Sequence, residues 1–244
     1  MARIFITGSA DGLGQLAAKS LIEQGHRVVL HARSEKRGQE ALNKVPAAEG
    51  VLTADLSDLE ATRELATREN SLGTFDAVIH NAAVYQTSGE EIFSVNVLAP
   101  YILTCLIEKP ERLIYLSSDM HEGGRPKLES FKTDPGQITY SDSKLHVLML
   151  CKAVARKWPQ VYANALNPGW VPTKMGGPGA PDSLEKGYET QVWLATSNDE
   201  RAMVSGRYFF HKKEARYNRY ADDIELQERF LKLCEEITGV HFPE

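Results

Sequence analysis

Cysteine is scarce: Cys105, Cys151 and Cys234 are the three in a chain of 244 residues, and they stand far apart. No C-x-x-C pair occurs, so neither a zinc site nor a dithiol redox centre is indicated, and no metal is expected. An odd number of scattered cysteines points to reduced thiols in helix interiors and to a cytoplasmic setting. Long hydrophobic runs are also missing. Nothing approaches the roughly 20 apolar residues of a membrane-spanning helix. The opening MARIFITG runs straight into a strand-like stretch and leaves no room for a signal peptide before it. Charge of one sign is not in large excess. The formal net charge of −5 argues against nucleic acid or an anionic membrane as the main partner. There is no internal repeat and no linker, so residues 1–244 are expected to form a single domain.

What is present is a regular alternation of short apolar runs and longer amphipathic ones. Strands are predicted at 3–8, 26–33, 50–56, 75–82, 112–118, 161–169 and 206–211. Helices are predicted at about 12–25, 35–44, 58–69, 90–107, 138–157, 182–197 and 222–238. Strand–helix alternation of this kind builds a doubly wound, Rossmann-type α/β sheet, parallel, with helices on both faces. Two stretches break the rhythm. Residues 119–137 mix glycine, proline and charge and read as an excursion, either beside the substrate mouth or outward as a surface loop. Residues 170–181 are too rich in glycine and proline for a regular helix.

TGSADGLG (7–14) lies between the first strand and the first helix, with Gly8, Gly12 and Gly14 as its glycines. Glycine bends the chain sharply and admits a phosphate close to the backbone. The helix start beyond it offers free N–H groups and a positive dipole end to a pyrophosphate. Ser9, Asp11 and Leu13 share this turn and are candidate cofactor contacts with the glycines. The spacing is G-x-x-x-G-x-G. Together with the strand–helix order, it resembles the short-chain dehydrogenase/reductase family in its compact single-domain form. The resemblance runs along most of the chain. The family's N-N-A-G landmark is matched at HNAA, where Asn81 and Ala82 agree and Ala83 replaces glycine. Asp55, with Leu56 beside it, takes the place of the family's adenine contact after the third strand.

An acidic residue at the end of the second strand, about 20 residues past the glycines, would bind the bare ribose of NAD. Arg33 stands there instead, and Arg37 follows. A guanidinium suits a 2′-phosphate and supplies no acceptor for a ribose hydroxyl. NADP(H) is therefore favoured over NAD(H), although Asp11 and Glu35 put negative charge nearby.

Two tyrosines stand four positions before a lysine: Tyr140 before Lys144 and Tyr208 before Lys212. On a helix, positions i and i+4 are neighbours; on a strand they are roughly 13 Å apart. Tyr140 and Lys144 open a predicted helix, whereas Tyr208 lies in a predicted strand, so the first pair is the candidate for chemistry. A cation beside a tyrosine favours the phenolate and lowers its pKa. The resemblance implies that Tyr140 is the acid/base and that Lys144 lowers its pKa and holds the nicotinamide ribose. It also implies a serine at the end of the fifth strand to orient the substrate oxygen. Ser117 and Ser118 both stand there, facing opposite ways, and the family pattern selects Ser118. In FSVNVLAPY (93–101), Asn96 would hold a relay water linking Lys144 to solvent. In NPGWVPT (167–173), Val171 and Thr173 would bind the carboxamide, with Pro168 and Gly169 shaping the turn and 170–197 forming a substrate lid.

Ser118 and Tyr140 are 22 positions apart, against about a dozen in many members. The excess is the 119–137 excursion, similar to an insertion in retinol-dehydrogenase-like members. The implied activity is hydride transfer between NADP(H) and a small-molecule carbonyl or alcohol. A cofactor-sensing regulatory protein on the same fold and a sugar epimerase or dehydratase are the rival readings. Many members pair through the helices carrying Asn96 and Tyr140, so a homo-oligomer is possible, and the excursion bears on that face.

Overall fold

The structure is a computed structural model that describes residues 1–243. Strand β1 (Arg3–Ile6) leads through the glycine turn into helix α1 (Gly12–Glu23), and β2 (Arg27–Ala32) into α2 (Glu35–Lys44). Next come β3 (Gly50–Thr53), α3 (Leu59–Ser71) and β4 (Ala77–His80). Helix α4 (Gly89–Phe93) continues through a π-helical stretch, Ser94–Leu98, into α5 (Ala99–Leu106). Strand β5 (Arg112–Leu116), the short α6 (Ser130–Thr133), α7 (Tyr140–Lys157) and β6 (Tyr162–Asn167) follow. The chain ends with α8 (Leu184–Thr196), β7 (Tyr208–Phe210), β8 (Lys213–Glu214) and α9 (Ile224–Thr238).

The strand order is β3-β2-β1-β4-β5-β6-β7-β8, parallel except for the β7–β8 pair. Successive strand residues point to opposite faces. Phe5 therefore joins the core under α3, α5, α7 and α9, while Ile4 and Ile6 join the core under α1, α2 and α8. Burial on both faces explains why the strands read as unbroken apolar runs. β1 lies between β2 and β4. The chain reverses direction across the sheet there, which opens a crevice beyond the carboxyl ends of both strands.

Local chemistry fixes where helices begin. Ser34, Asp58, Ser88, Ser183 and Asp223 each cap a helix by accepting a backbone N–H. Thr139 and Asp142 form a reciprocal capping box at the start of α7, with bonds of 3.2 and 3.0 Å. That box places Tyr140 at the first helical position and Lys144 one turn further on.

Two irregular stretches carry more structure than their composition suggests. The excursion contains a 3₁₀ turn, Asp119–Gly123, then α6 and a second 3₁₀ turn, Pro135–Gln137. Its Phe131 is buried against Phe93, His146 and Phe230. The far half of the excursion is thus packed against α4, α7 and α9, and only its first residues stay near the crevice. The irregular part of 170–197 ends at Ser183. Beyond it, α8 packs on α1 and buries Gly187, Thr190, Val192 and Leu194, so it is scaffold.

Candidate active site

The glycine turn is held from behind by side chains. Gly8 takes a left-handed φ of +64°, and a Cβ there would lie 2.8 Å from Ala82 Cα. Thr7 Oγ1 accepts the N–H groups of Asn81 and Ala82, both at 3.0 Å. Asn81 Nδ2 donates to the carbonyls of Thr7 and Gly8 at 2.9 and 3.0 Å. Gly14 is needed for close approach, since a Cβ would fall 2.5 Å from Asn81 Nδ2. Ser9 bonds Ile6 O and the His31 N–H. Ser9 and Gly14 therefore build the turn without lining the crevice.

His31 is a residue the motif reading did not single out. It is buried on β2, and its Nδ1 accepts the Gly8 N–H at 3.0 Å while Nε2 lies 3.1 Å from Ala54 O. Burial pulls its pKa down to about 4, so the ring is neutral and Nδ1 stays an acceptor. A polar residue inside an otherwise apolar strand was the available signal.

The crevice has a volume of about 470 Å³. Gly8, Asp11, Gly12, Leu13, Arg33, Arg37, Asp55, Leu56, Asn81, Ala82, Ala83, Tyr140, Lys144, Pro168 and Thr173 all line it. Asn96, Ser118, Gly169 and Val171 do not line it, though each borders residues that do. At one end, Asp11 accepts from Arg37 at 2.5 Å and from Lys174 at 3.0 Å. Burial opposes its ionisation, but the two cations hold the Asp11 carboxyl below its ordinary pKa. Glu35 is turned onto the Thr53 hydroxyl. Arg33 is exposed at the crevice edge. One Asp55 oxygen closes a turn onto Ser57.

At the other end stand Tyr140 and Lys144. Lys144 Nζ lies 5.3 Å from the Tyr140 ring centroid and donates to Leu116 O at 2.8 Å. Full burial lowers the lysine pKa to about 7. Burial pushes the Tyr140 hydroxyl pKa up, with Tyr85 and Asp119 adding to the rise. Burial thus disfavours the charged form of both groups, raising the pKa of the tyrosine and lowering that of the lysine.

Ser117 and Ser118 are separated as the strand alternation requires. Ser117 is buried and its hydroxyl donates to Lys144 O at 2.8 Å. Ser118 is half-buried, donates to Asp119 Oδ1 at 3.1 Å and accepts the Met120 N–H at 3.2 Å. Asn96 lies in the π-helical stretch. Its amide bonds both polar atoms of the Val84 backbone, at 2.8 and 3.0 Å, and Ser143 Oγ at 3.1 Å. The second tyrosine–lysine pair is split apart. Tyr208 is buried on β7, while Lys212 lies past the strand and pairs with Glu189 at 3.1 Å.

The family model for short chain dehydrogenases matches residues 2–109. An uncharacterized oxidoreductase of Emericella nidulans is 44% identical, covering 100% of this chain and 99% of its own. A short-chain dehydrogenase of Penicillium rubens is 42% identical over 100% of both chains. The chain belongs to the short-chain dehydrogenase/reductase family. A solved structure of a protein from Mycobacterium paratuberculosis shares the fold, with a TM-score of 0.84 and 22% identity, over 100% of this chain and 96% of that one.

As a member of that family the protein is an oxidoreductase that moves a hydride between a nicotinamide dinucleotide and a carbonyl or hydroxyl group. The residues present suit such a cofactor. A Cβ at Gly8 or Gly14 would collide with its neighbours, Gly12 takes a left-handed φ of +56°, and the turn ends on the N-terminus of α1. From there the crevice runs unbroken from Arg33 to Lys144. Among the described residues, no helix is long and apolar enough to cross a membrane.

Proposed function

We propose that the protein is an NADP(H)-preferring reductase or dehydrogenase in which Tyr140 is the acid/base. The observation that carries this is the placement of Tyr140 and Lys144 one turn apart at the start of α7, at the opposite end of one crevice from the glycine turn and Arg33. Gly8, Gly12, Leu13 and the α1 N-terminus would hold the pyrophosphate, Asp55 and Leu56 the adenine, and Asn81, Ala82 and Ala83 the central wall. Val171 and Thr173 would hold the carboxamide, with Pro168 and Gly169 forming the turn beneath. Arg33, Arg37 and Lys174 bring three cations to the place where a 2′-phosphate would lie, against two carboxylates, Asp11 on Arg37 and Lys174 and Glu40 on Arg37.

The bound nicotinamide supplies or takes up the hydride. In reduction, the Tyr140 hydroxyl gives its proton to the substrate oxygen while Ser118 donates a hydrogen bond to that oxygen. The phenolate left behind is stabilised by the Lys144 ammonium and regains a proton through it. Asn96 serves the relay through its main chain, since its side-chain amide is engaged by Val84 and Ser143. Oxidation runs the same steps backwards.

Tyr85, edge-on to Tyr140 at 4.8 Å, and the half-exposed Met175 form an apolar wall on the substrate side. The test is a panel of aromatic ketones, quinones and aldehydes with NADPH and NADH, followed by loss of reduced-cofactor absorbance. Tyr140→Phe should lose about 10²- to 10⁴-fold in turnover and keep NADPH binding by fluorescence titration. Full turnover in that variant, or no turnover of any panel member by the parent, would overturn the reading.

A further inference from the structure

We propose that His121, in the excursion, is a positioning residue that fixes Ser118, together with Asn218 from the C-terminal part of the chain. The inference rests on the reading of Ser118 given above. His121 is fully buried, and each ring nitrogen has one partner. Nδ1 meets the Ser118 carbonyl oxygen, and Nε2 lies 3.2 Å from the Asn218 backbone nitrogen. A carbonyl oxygen can only accept and a backbone N–H can only donate. One tautomer alone satisfies both, with the proton on Nδ1. The Ser118 carbonyl also accepts the His121 backbone N–H at 3.2 Å, so the ring is its second donor, and burying the imidazole itself without partners would be costly.

The His121–Asn218 bond spans 97 positions in sequence and ties the turn after β5 to the C-terminal part of the chain. Asn218 strengthens the tie. Its Nδ2 donates to the carbonyls of His121, Glu122 and Gly124, at 3.3, 3.2 and 3.1 Å. The 3₁₀ turn that Ser118 caps is thereby clamped at several points. Tyr208 of β7 closes the edge of the imidazole, with ring centroids 4.7 Å apart. On the far side, the excursion is pinned to the catalytic helix. Asp142, two residues after Tyr140, accepts the Arg125 N–H at 2.8 Å and Lys127 Nζ at 2.9 Å. Ser118 and Tyr140 are thus two ends of one braced loop. His121 sets the Ser118 end and Asp142 the Tyr140 end, which is how two hydroxyl groups 22 positions apart are kept in register.

Two substitutions separate positioning from bulk stability. His121→Asn keeps a donor where Nδ1 stands and loses the Asn218 contact. His121→Gln keeps a group near Nε2 and loses the Ser118 contact. With NADPH and the fastest carbonyl of the panel, His121→Gln should lower kcat roughly 10- to 100-fold with NADPH affinity unchanged. His121→Asn should stay close to the parent. Combined with Ser118→Ala, His121→Gln should add no further loss, because both act on one hydroxyl. Nitrogen-15 NMR of the parent should show the proton on Nδ1 of His121.

Equal losses in the two histidine variants, additivity with Ser118→Ala, or a proton on Nε2 would overturn the proposal. Should His121→Gln fail to fold, His121→Phe replaces it: the ring keeps its bulk and loses the Nδ1 bond to Ser118 O, and it must show the same non-additive fall in kcat. A Ser118→Ala variant with parental kcat would sink the reading of Ser118 itself. An impaired Ser118→Ala beside an unimpaired His121→Gln would sink only this inference.

Discussion

At the scale of single residues, most of the crevice was written in motifs, and what escaped was polar support. Arg33, Asp55 and Asn81 stand where spacing put them. His31 and His121 carried no motif, because each works by bonding a backbone group brought near it by folding. Arg33 is the sharpest residue-level test of cofactor choice. A charge-assisted hydrogen bond contributes about 1.5–3 kcal/mol. Arg33→Asp should therefore weaken NADPH binding roughly 10- to 150-fold and improve NADH binding. Unchanged dissociation constants for both cofactors would show that Arg37 and Lys174 act without it.

At the scale of elements, the catalytic helix shows how a local signal and a distant one combine. The sequence TYSD (139–142) caps α7 and puts Tyr140 and Lys144 on one face. Nothing local says that the excursion leans on that cap. Gly124 makes the lean possible: a Cβ there would fall 2.5 Å from Ser141 O and 3.1 Å from His121 O. Both obstacles are backbone and cannot swing aside. Gly124→Ala should push the first turn of α7 away from Ser118 and cost roughly 10- to 100-fold in kcat. Parental kcat with an unaltered melting temperature would mean the excursion yields there without moving the helix.

At the scale of the whole molecule, stability and assembly follow from what is buried. His31, His80 and His146 are neutral in the core, with pKa values pulled by burial to about 4, 3 and 4. Unfolding restores an ordinary value near 6.5, so the stability they contribute is whole above that pH. It should be lost as pH falls from about 6.5 towards 3. Glu69 has the opposite sign. Burial raises its pKa to about 9, and neither carboxyl oxygen has a hydrogen-bond partner among the described residues. Its contribution is whole below the unfolded value near 4.5 and fades as pH rises towards 9.

Glu69→Gln should accordingly raise the melting temperature at pH 8.5 and not at pH 5. The gain should be about 2–4 °C per kcal/mol for a chain of this size. Calorimetry across pH would expose either sign error. Helix α7 is buried without a break from Asp142 to Cys151, enclosed by the sheet, the excursion and α9. A helix covered on all sides offers no face to a second copy. Size-exclusion chromatography with light scattering should show a monomer at micromolar concentration, and a dimer would place the contact elsewhere.

The sequence by itself determined the α/β order, the helix starts and the tyrosine–lysine pair that shares a helix face. These depend on periodicity, capping and spacing within a few residues, and the chain carries such signals wherever it folds. Only the tertiary structure decided which charges face the cofactor crevice, with Glu35 turned onto Thr53 and Asp11 drawn between Arg37 and Lys174. It also decided that burial, acting on Tyr140 and Lys144 in opposite directions, sets their pKa values. Likewise it alone joined His121 to Asn218. Those outcomes depend on desolvation and on partners far apart in sequence, and neither exists until the sheet has closed over them.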